Sequence, residues 1–416
     1  MKKYIVFVLT VILSISIFMG CGKTQQIAEV NNYISSVDTI KVGDDVKIVG
    51  LGEATHGNSE LQTLKLDVFK ALVENNNCRI FAIEGDFGGG AKVNEYIMGG
   101  IGTAEEAAAE IGFAIYRTQE MADLIQWMRE YNQTAPETEK LKFYCYDMQR
   151  YDNSKEFLFA YLGKVDKQLS EVYSALLEDL NDETVYNQDK SKVKTALVKT
   201  EELIEKMIAC KSDFISKTNE NEFEFALQCA QSIKENATLR GTGVSYSNKR
   251  DEYMKNKVDW IMEYEENQLI FITGHNGHIE KTSASAGFTC MGERIAKSYG
   301  EAYYSIGTDF LESSFNAVTS SGNDKVMTIR HKNALTSQFE NLEKNIYFLD
   351  FAKAEENTEL KEILNLKMVM ANIGAEFNGL QKLHSYFYTL KIVPAQAYDG
   401  IIILQKTKPS SRIDLQ

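Results

Sequence analysis

The chain has 416 residues, and its 45 Lys and Arg against 59 Asp and Glu give a formal net charge of −14. This acidic balance excludes the basic surface with which proteins bind nucleic acid, so we expect no nucleic-acid partner. Hydrophobic residues make up 44% of the chain, which supports a large buried core and excludes a chain that is disordered overall.

The N-terminal segment has the pattern of a secretion signal. Two lysines precede an apolar run over Ile5–Met19, which is shorter than the roughly 20 residues that a transmembrane helix needs. We therefore predict a signal peptide at 1–20. Gly20-Cys21 resembles the lipobox of bacterial lipoproteins, in which Cys21 becomes the lipidated first residue. We expect a lipid anchor in the cell membrane on its extracytoplasmic side, with plain secretion or an uncleaved anchor as the alternatives.

Strand-like and helix-like segments alternate along most of the remaining chain. Short β-branched runs predict strands, and apolar residues three or four positions apart predict the helices between them. This alternation predicts an α/β fold with a mainly parallel sheet that helices cover on both faces. The predicted strands are Val46–Leu51, Arg79–Glu84, Leu141–Tyr146, Leu269–Thr273, Ala302–Ile306, Tyr347–Leu349 and Ile401–Leu404.

The alternation is interrupted between the third and fourth predicted strands. Residues 153–249 are rich in Lys and Glu and carry apolar residues at helical spacing, which predicts a helical insertion. The insertion either lines a substrate cleft, as a wall or a moving lid, or only packs on the sheet. The predicted domain plan is a tether at 21–45, an α/β core at 46–152 and 250–405, this insertion, and an unstructured tail at 406–416.

The cysteines beyond Cys21 are odd in number, far apart in sequence and without a C-x-x-C pair. Such spacing predicts buried free thiols rather than a disulfide framework, with a Cys210–Cys229 pair as the alternative. These cysteines are Cys78, Cys145, Cys210, Cys229 and Cys290.

Three of the five histidines directly follow predicted strands, in two short segments bounded by glycine. His56 lies in the first segment, and His275 and His278 lie in the second. Since ligands bind outside the carboxyl ends of parallel strands, we expect these imidazoles to meet in one crevice. The glycines that bound each segment are expected to let the backbone turn sharply. His331 and His384 are isolated and are expected to be surface or core residues.

Acidic residues lie at the ends of the same strands. Glu53 precedes His56, Glu84 closes the second strand, and Asp147 follows the third. A carboxylate fixes the tautomer of a neighbouring imidazole and stabilises the imidazolium, so Glu53 or Glu84 would help His56 to take a proton from water. This arrangement suits hydrolysis. A metal-dependent hydrolase is the alternative, because imidazoles and carboxylates also bind zinc or manganese.

The common catalytic motifs are missing. The chain contains no G-x-S-x-G, H-E-x-x-H, P-loop or G-x-G-x-x-G sequence. This argues against a nucleophile elbow of the α/β-hydrolase type, a common zinc protease, and nucleotide or dinucleotide binding.

Six short motifs, in this order, together resemble the erythromycin esterase family. With two further matches, at Ser305–Thr308 and Ser314–Ala317, they cover about Val46–Ala317. A match of six motifs in sequence is far more specific than any one of them. The motifs are Gly52–Gly57 with Glu60, Phe81–Phe87, Tyr116–Thr118, Tyr144–Gln149, Arg250-Asp251 with Met254, and Gly274–His278.

The resemblance implies an α/β core with a helical insertion that hydrolyses a small-molecule ester or lactone. In named members of the family the substrate is a macrolide lactone. The reaction implied uses a water-activating histidine, no cofactor and no required metal. By position, His56 resembles the family's general base, with Glu53 and Glu84 near it. The rest of the family's polar site is matched here by His275, His278 and Arg250.

Lys65, Arg117 and Asp147 are further candidates for substrate binding. Lys65 stands where members of the family have arginine, and because lysine lacks the bidentate fork of a guanidinium we expect a shifted substrate. Arg117 and Arg250 are alternatively ion-pair partners of helix carboxylates. Asp147 is alternatively the N-cap of the next helix. We expect a monomer, and a non-catalytic small-molecule-binding lipoprotein is the second alternative to the esterase.

Overall fold

A computed structural model describes residues 26–284, 287–318 and 324–414 of the chain. The predicted signal peptide at 1–20 and the predicted lipidation site Cys21 lie outside these residues. Within the described ranges, no helix combines the length and the apolar character needed to cross a membrane.

One large sheet organises the fold. In the described part of the chain, nine strands form this sheet in the order β1-β8-β11-β6-β2-β5-β3-β4, with β7 paired to β6. Every pairing from β11 through β6, β2, β5 and β3 to β4 is parallel. The strands are β1 (Ile34–Ser35), β2 (Ile48–Glu53), β3 (Ile80–Asp86), β4 (Lys142–Asp147), β5 (Ile270–His275), β6 (Tyr303–Val318), β7 (Asp324–Arg330), β8 (Ile346–Asp350), β9 (Met368–Ala371), β10 (Thr389–Ile392) and β11 (Gly400–Thr407).

Helices cover this sheet on both faces, which confirms the predicted α/β fold. Successive residues of β2 point to opposite faces: Val49 packs in the cluster that includes Phe69 of α1, and Ile48 packs in the cluster that includes Val258 of α10. The helices are α1 (Ser59–Asn76), α2 (Phe87–Ile97), α3 (Ala104–Glu110), α4 (Gln119–Thr134), α5 (Asp152–Val165), α6 (Lys167–Leu176), α7 (Lys190–Ala209), α8 (Lys211–Lys217), α9 (Glu220–Gly241), α10 (Tyr246–Tyr264), α11 (Asn276–Ile279), α12 (Met291–Tyr299), α13 (Phe351–Ala354), α14 (Thr358–Leu364) and α15 (Pro394–Ala397).

The chain between β4 and β5 is helical. Helices α5–α9 share an apolar cluster of their own, to which Leu158, Leu203 and Ile233 belong. Phe87 at the start of α2 lies in the same cluster, so these helices pack on the core through α2. Helix α10 crosses the predicted boundary at 249/250 and returns the chain to the sheet.

The predicted tether is part of the fold over the residues that the structure describes. Ile27, Val30, Ile40 and Val42 are buried, and β1 pairs antiparallel with β8 at the edge of the sheet. Apolar side chains spaced among polar ones therefore dock residues 26–45 onto the core, and the interpretation of this stretch as a polar tether was wrong.

The prediction of an unstructured tail at 406–416 is also wrong for the described residues, which end at Asp414. The backbone of residues 408–413 is hydrogen-bonded to the first histidine segment, which follows β2, and to the residues just before α4. The N–H of Ser410 donates to the carbonyl of Gly57 at 3.1 Å, and the N–H of Ile413 donates to the carbonyl of Arg117 at 3.0 Å.

The strands beyond β5 depart most from prediction. Strand β6 extends to Val318 and pairs antiparallel with β7, and β9 and β10 form a separate antiparallel pair. Neither β7 nor this pair was predicted. Antiparallel strands at the edge of a fold bury one side only, so they lack the continuous apolar runs that identified the central strands.

The described cysteines are free thiols. Cys78, Cys145, Cys229 and Cys290 are buried as predicted, but Cys210 is exposed, and it forms no disulfide with Cys229.

Candidate active site

The candidate site lies at the carboxyl ends of four neighbouring strands. Strand β5 pairs with both β2 and β3, although it comes much later in the chain, and β4 follows β3. The ring centroids of His56 and His275 are 4.9 Å apart, and those of His275 and His278 are 6.5 Å apart. The topology therefore brings the three imidazoles of the two histidine segments together.

His56 is held by a buried carboxylate. Its Nδ1 lies 2.6 Å from Oε1 of Glu53. Burial would raise the pKa of Glu53, but the charges of Lys65 and His56 outweigh it and lower the pKa to about 2. An ionised carboxylate only accepts hydrogen bonds, so Nδ1 of His56 carries the proton. In neutral His56 the lone pair is then on Nε2, to which no described residue bonds.

Lys65 contacts Glu53 on the side of the carboxylate that faces away from His56. Its side chain is fully buried, and Nζ donates to Oε2 of Glu53 at 2.6 Å and to Oε1 of Gln62 at 2.9 Å. Gln62 in turn donates to the backbone carbonyl of His56 at 2.8 Å. The structure thus gives Lys65 no route to a substrate, against the prediction, and makes it a positioning residue for Glu53.

His275 uses both of its ring nitrogens within the protein. Nε2 lies 3.1 Å from the backbone carbonyl of Ile373, which can only accept, so Nε2 is protonated. The N–H of Gly277 donates to Nδ1 at 3.4 Å. Burial lowers the pKa of His275 to about 3, and charge on His56 and His278 acts in the same direction. His275 is therefore a neutral ring that orders the site and is not a free base.

His278 lies in a charged environment. Its Nδ1 is 2.8 Å from Oδ1 of Asp251, and its Nε2 is 3.1 Å from Nη1 of Arg250 and 3.5 Å from Oε1 of Glu84. Burial would lower the pKa of His278, but the carboxylates of Asp251 and Glu84 outweigh it, so the net direction is upward. Arginine can only donate, so Nε2 of His278 accepts from Arg250 and the ring carries its proton on Nδ1, towards Asp251.

Glu84 connects these groups. Its Oε1 accepts from Nη2 of Arg250 at 2.6 Å, and its Oε2 accepts from the backbone N–H of His275 at 2.9 Å. Burial opposes ionisation, but His278, Arg250 and His56 together lower the pKa of Glu84. A Cβ at Gly274 would lie 2.9 Å from Oε2 of Glu84, so glycine is required there for the carboxylate to reach the backbone.

Asp147 is a partner of Arg250. It is fully buried, and its Oδ2 accepts from Nη2 and Nε of Arg250 at 2.5 and 3.1 Å. The next helix begins at Asp152 with Tyr151 as its N-cap, so the N-cap interpretation of Asp147 was wrong. Its burial also leaves it no direct contact with a substrate, against the predicted role.

Arg117 is not brought to the imidazoles by any described contact. Its side chain is exposed and lines a cavity of about 320 Å³ together with Asp86, Arg150 and Asp182. Within the described ranges it forms no ion pair with a carboxylate, so the alternative of a helix ion pair is not met either. Arg117 therefore remains a candidate for substrate binding only through this neighbouring cavity.

The glycines of the histidine segments serve close packing rather than sharp turns. None of Gly52, Gly57, Gly274 and Gly277 has a positive φ. A Cβ at Gly57 would run into the backbone of Asn316, and one at Gly52 would run into Asn276. The chain does turn at His56-Gly57, but it does so without a backbone conformation that favours glycine, and Gly52 and Gly57 are needed because other chain segments lie too close for a side chain.

Sequence reasoning missed two partners of the imidazoles. Asp251 was noted only as part of a motif, although an acid next to Arg250 on one helix offers the pairing that His278 uses. The carbonyl of Ile373 carried no signal, because a backbone acceptor from a distant loop has no residue type that marks it. His331, by contrast, is buried near Asp309 and His384 is exposed, as expected for residues outside the site.

The side chains of the site pair with one another. Among residues 26–284, 287–318 and 324–414, no three His, Cys, Asp or Glu side chains are arranged to hold a metal ion. The carboxylates are bound to Lys65, Arg250 and the imidazoles. The arrangement can supply one basic ring nitrogen, at His56, near Arg250, whose charge is balanced by Glu84 and Asp147.

Two solved structures resemble this fold closely. A Bacillus cereus protein matches with a TM-score of 0.78 at 24% identity, over 94% of this chain and 96% of that one. A mutant of the erythromycin esterase EreC in an open conformation matches with a TM-score of 0.67 at 17% identity, over 89% and 93%. At these identities the likeness concerns the fold alone.

Sequence comparison identifies the family. Erythromycin esterase type II of Escherichia coli is 25% identical over 308 residues, which is 67% of this chain and 72% of that protein. The family model for erythromycin esterase matches residues 73–407, a range that starts after His56 and includes Glu84, Arg250, His275 and His278. This chain belongs to the erythromycin esterase family.

Proposed function

We propose that the protein hydrolyses a carboxylic ester or lactone, with His56 as the general base that activates water. The observation that carries this proposal is the 2.6 Å contact between Nδ1 of His56 and the ionised Glu53, which leaves Nε2 unprotonated. Such a ring accepts a proton while the carboxylate stabilises the imidazolium that forms.

In the proposed reaction, Nε2 of His56 takes a proton from water as the water oxygen adds to the ester carbonyl. The carbonyl oxygen becomes an oxyanion, and the second N–H on Nη1 of Arg250 stabilises it, because among the described residues only His278 is bonded to that nitrogen. When the tetrahedral intermediate collapses, the bond to the alcohol oxygen breaks and the departing oxygen takes the proton from Nε2 of the His56 imidazolium. The products are a carboxylic acid and an alcohol, or a single hydroxy acid from a lactone.

The charge pattern supports this division of roles. Glu53, Glu84 and Asp147 are committed to buried cations, so none of them is placed as a nucleophile towards a bound substrate. His275 is neutral, and its ring, tilted against that of His56 with the centroids 4.9 Å apart, limits the motion of the basic ring. Arg250 acts through Nη1, since its Nη2 and Nε are bound to Glu84 and Asp147.

The remaining parts of the proposal concern the setting of the enzyme. We propose a monomer whose partner is a small-molecule ester or lactone, anchored through a lipid on Cys21 to the extracytoplasmic side of the cell membrane. The lipobox-like Gly20-Cys21 supports the anchor, and labelling cells with a radioactive fatty acid, with Cys21→Ser as the control, tests it.

The test of the activity compares wild type with His56→Asn on a panel of aryl esters and macrocyclic lactones, read by mass spectrometry for the gain of one water. We expect His56→Asn to lower kcat by about 10²–10⁴-fold, the usual contribution of a general base. His384→Asn, an exposed histidine outside the site, serves as the matched control. A wild type that binds these compounds without hydrolysing any would contradict the proposal.

A further inference from the structure

The segment between β9 and β10 carries a group of exposed apolar side chains. Leu380 is 77% exposed, Leu383 71%, Tyr386 85% and Phe387 52%. We call these four residues the apolar lip. They lie on two adjacent short turns, and the rings of Tyr386 and Phe387 are 5.6 Å apart. Apolar side chains gathered in this way on a soluble surface mark an interaction site.

The base of this segment is bonded to the elements that carry the imidazoles. The N–H of Ile373 donates to the carbonyl of Ala54 at 2.8 Å, two residues before His56. The carbonyl of Ile373 accepts from His275 at 3.1 Å. The same peptide region thus contacts both histidine segments, which fixes the start of the segment at the edge of the candidate site.

The start of the segment also contains a buried hydrogen-bond acceptor that has no donor. Oδ1 of Asn372 is buried, and no described residue donates to it. A Cβ at Gly277, between the two histidines of the second segment, would lie 3.4 Å from this oxygen and 3.9 Å from Leu390. A buried acceptor without a donor is costly, and it is positioned to receive a hydroxyl or N–H group of a bound molecule.

Phe377 lies in the segment between Asn372 and the apolar lip. Its side chain is buried, and its ring lies 5.7 Å from that of Phe315 and 6.1 Å from that of Tyr388. The N–H of Phe377 donates to the carbonyl of Val318 at 3.1 Å. Phe377, three residues before Leu380, is therefore fixed to the end of β6 by packed side chains and a backbone hydrogen bond.

We infer that the apolar lip binds the apolar portion of the ester substrate, and that the substrate class is esters or lactones with an extended hydrocarbon part. This inference rests on the proposed function. A membrane surface is the less favoured occupant, because the acidic chain is repelled by anionic headgroups and because the segment is bonded to the histidine segments rather than to a separate surface.

The test uses 4-nitrophenyl acetate, hexanoate and decanoate with wild type and with a variant that combines Leu380→Ser, Leu383→Ser, Tyr386→Ser and Phe387→Ser. We expect wild type to prefer decanoate over acetate by at least about tenfold in kcat/KM, because each buried methylene adds to binding. The variant should lose most of that preference, with a loss that grows with acyl length. Val198→Ser with Ile208→Ser, two exposed apolar residues of α7, is the matched control.

A second arm separates this inference from the proposed function. Binding of the decanoate ester is measured by calorimetry in the His56→Asn background, with and without the four serines, so that it does not depend on turnover. Weaker binding with the serines supports the lip even if wild type hydrolyses nothing, a result that would overturn the proposed function alone. Equal acyl-length dependence and equal binding would overturn the inference. Cosedimentation of wild type and the four-serine variant with phosphatidylcholine vesicles tests the other occupant, and a loss confined to vesicle binding would also overturn the inference.

Discussion

At the scale of single residues, the site separates its histidines by the partner of each ring. His56 is held by Glu53 through Nδ1, His275 donates through Nε2 to a backbone carbonyl, and His278 lies between Asp251 and Arg250. One imidazole thus has a ring nitrogen without a partner, one is held neutral, and one has a raised pKa. Three residues of the same type perform three tasks because their neighbours differ.

Asp251→Asn tests the role of His278. The raised pKa of His278 means that the ring stays protonated to higher pH than an ordinary histidine, so the stabilisation it gives is present at low pH and is lost as pH rises through its pKa. Removing the charge of Asp251 lowers that pKa. We expect the alkaline limb of the kcat/KM profile against pH to move to lower pH, while the folded state is retained.

The matched control for this profile is Asp259→Asn, which changes a partly exposed carboxylate on the same helix that pairs with Lys255. It should leave the alkaline limb in place. An unchanged limb in Asp251→Asn, with the same loss of activity at every pH, would mean that Asp251 only supports the fold and does not set the protonation of His278.

At the scale of elements, the C-terminal segment after β11 supports the first histidine segment. The N–H of Ser59 donates to the carbonyl of Lys408 at 2.8 Å, and the N–H of Ser410 donates to the carbonyl of Gly57 at 3.1 Å. Asn58, the N-cap of α1, accepts from Leu61 and donates to Ser313. The turn that carries His56 is therefore clamped from two sides.

Deletion of the chain after Thr407 tests this support. Several backbone hydrogen bonds to residues around His56 and to the start of α4 are lost, at about 1 kcal/mol each. We expect the free energy of unfolding in urea to fall by a few kcal/mol, and kcat to fall more than KM rises because the base is displaced. Unchanged stability and kinetics would show that the tail contributes nothing to the site.

At the scale of the whole molecule, the order of strands creates the site. Strand β5 inserts between β2 and β3, so Glu53 and His275, from opposite halves of the chain, become partners in register. Helix α10 then brings Arg250 and Asp251 over the ends of β3 and β4. The family match over residues 73–407 spans the sheet from β3 to β11 with the helices between, and it starts after β2 and His56.

Much of this arrangement could be predicted from the sequence. Continuous apolar runs identified the buried parallel strands, and polar residues at their ends indicated the site. Burial could not be predicted in the same way: Lys65 and Asp147 look like surface residues and are enclosed, because each finds an opposite charge inside. Contacts made by the backbone, such as that of Ile373 with His275, depend on packing between distant segments and leave no pattern in the residue types.

The most direct test of the central claim is a long-range ¹H–¹⁵N NMR spectrum of protein labelled with ¹⁵N in its imidazoles, at neutral pH. With only 5 histidines in the chain, His56→Asn and His275→Asn assign the two rings by the loss of their signals. We predict that His56 carries its proton on Nδ1 and has a bare Nε2, and that His275 carries its proton on Nε2. A proton on Nε2 of neutral His56 would contradict the account, because the ring would then have no basic nitrogen towards the water.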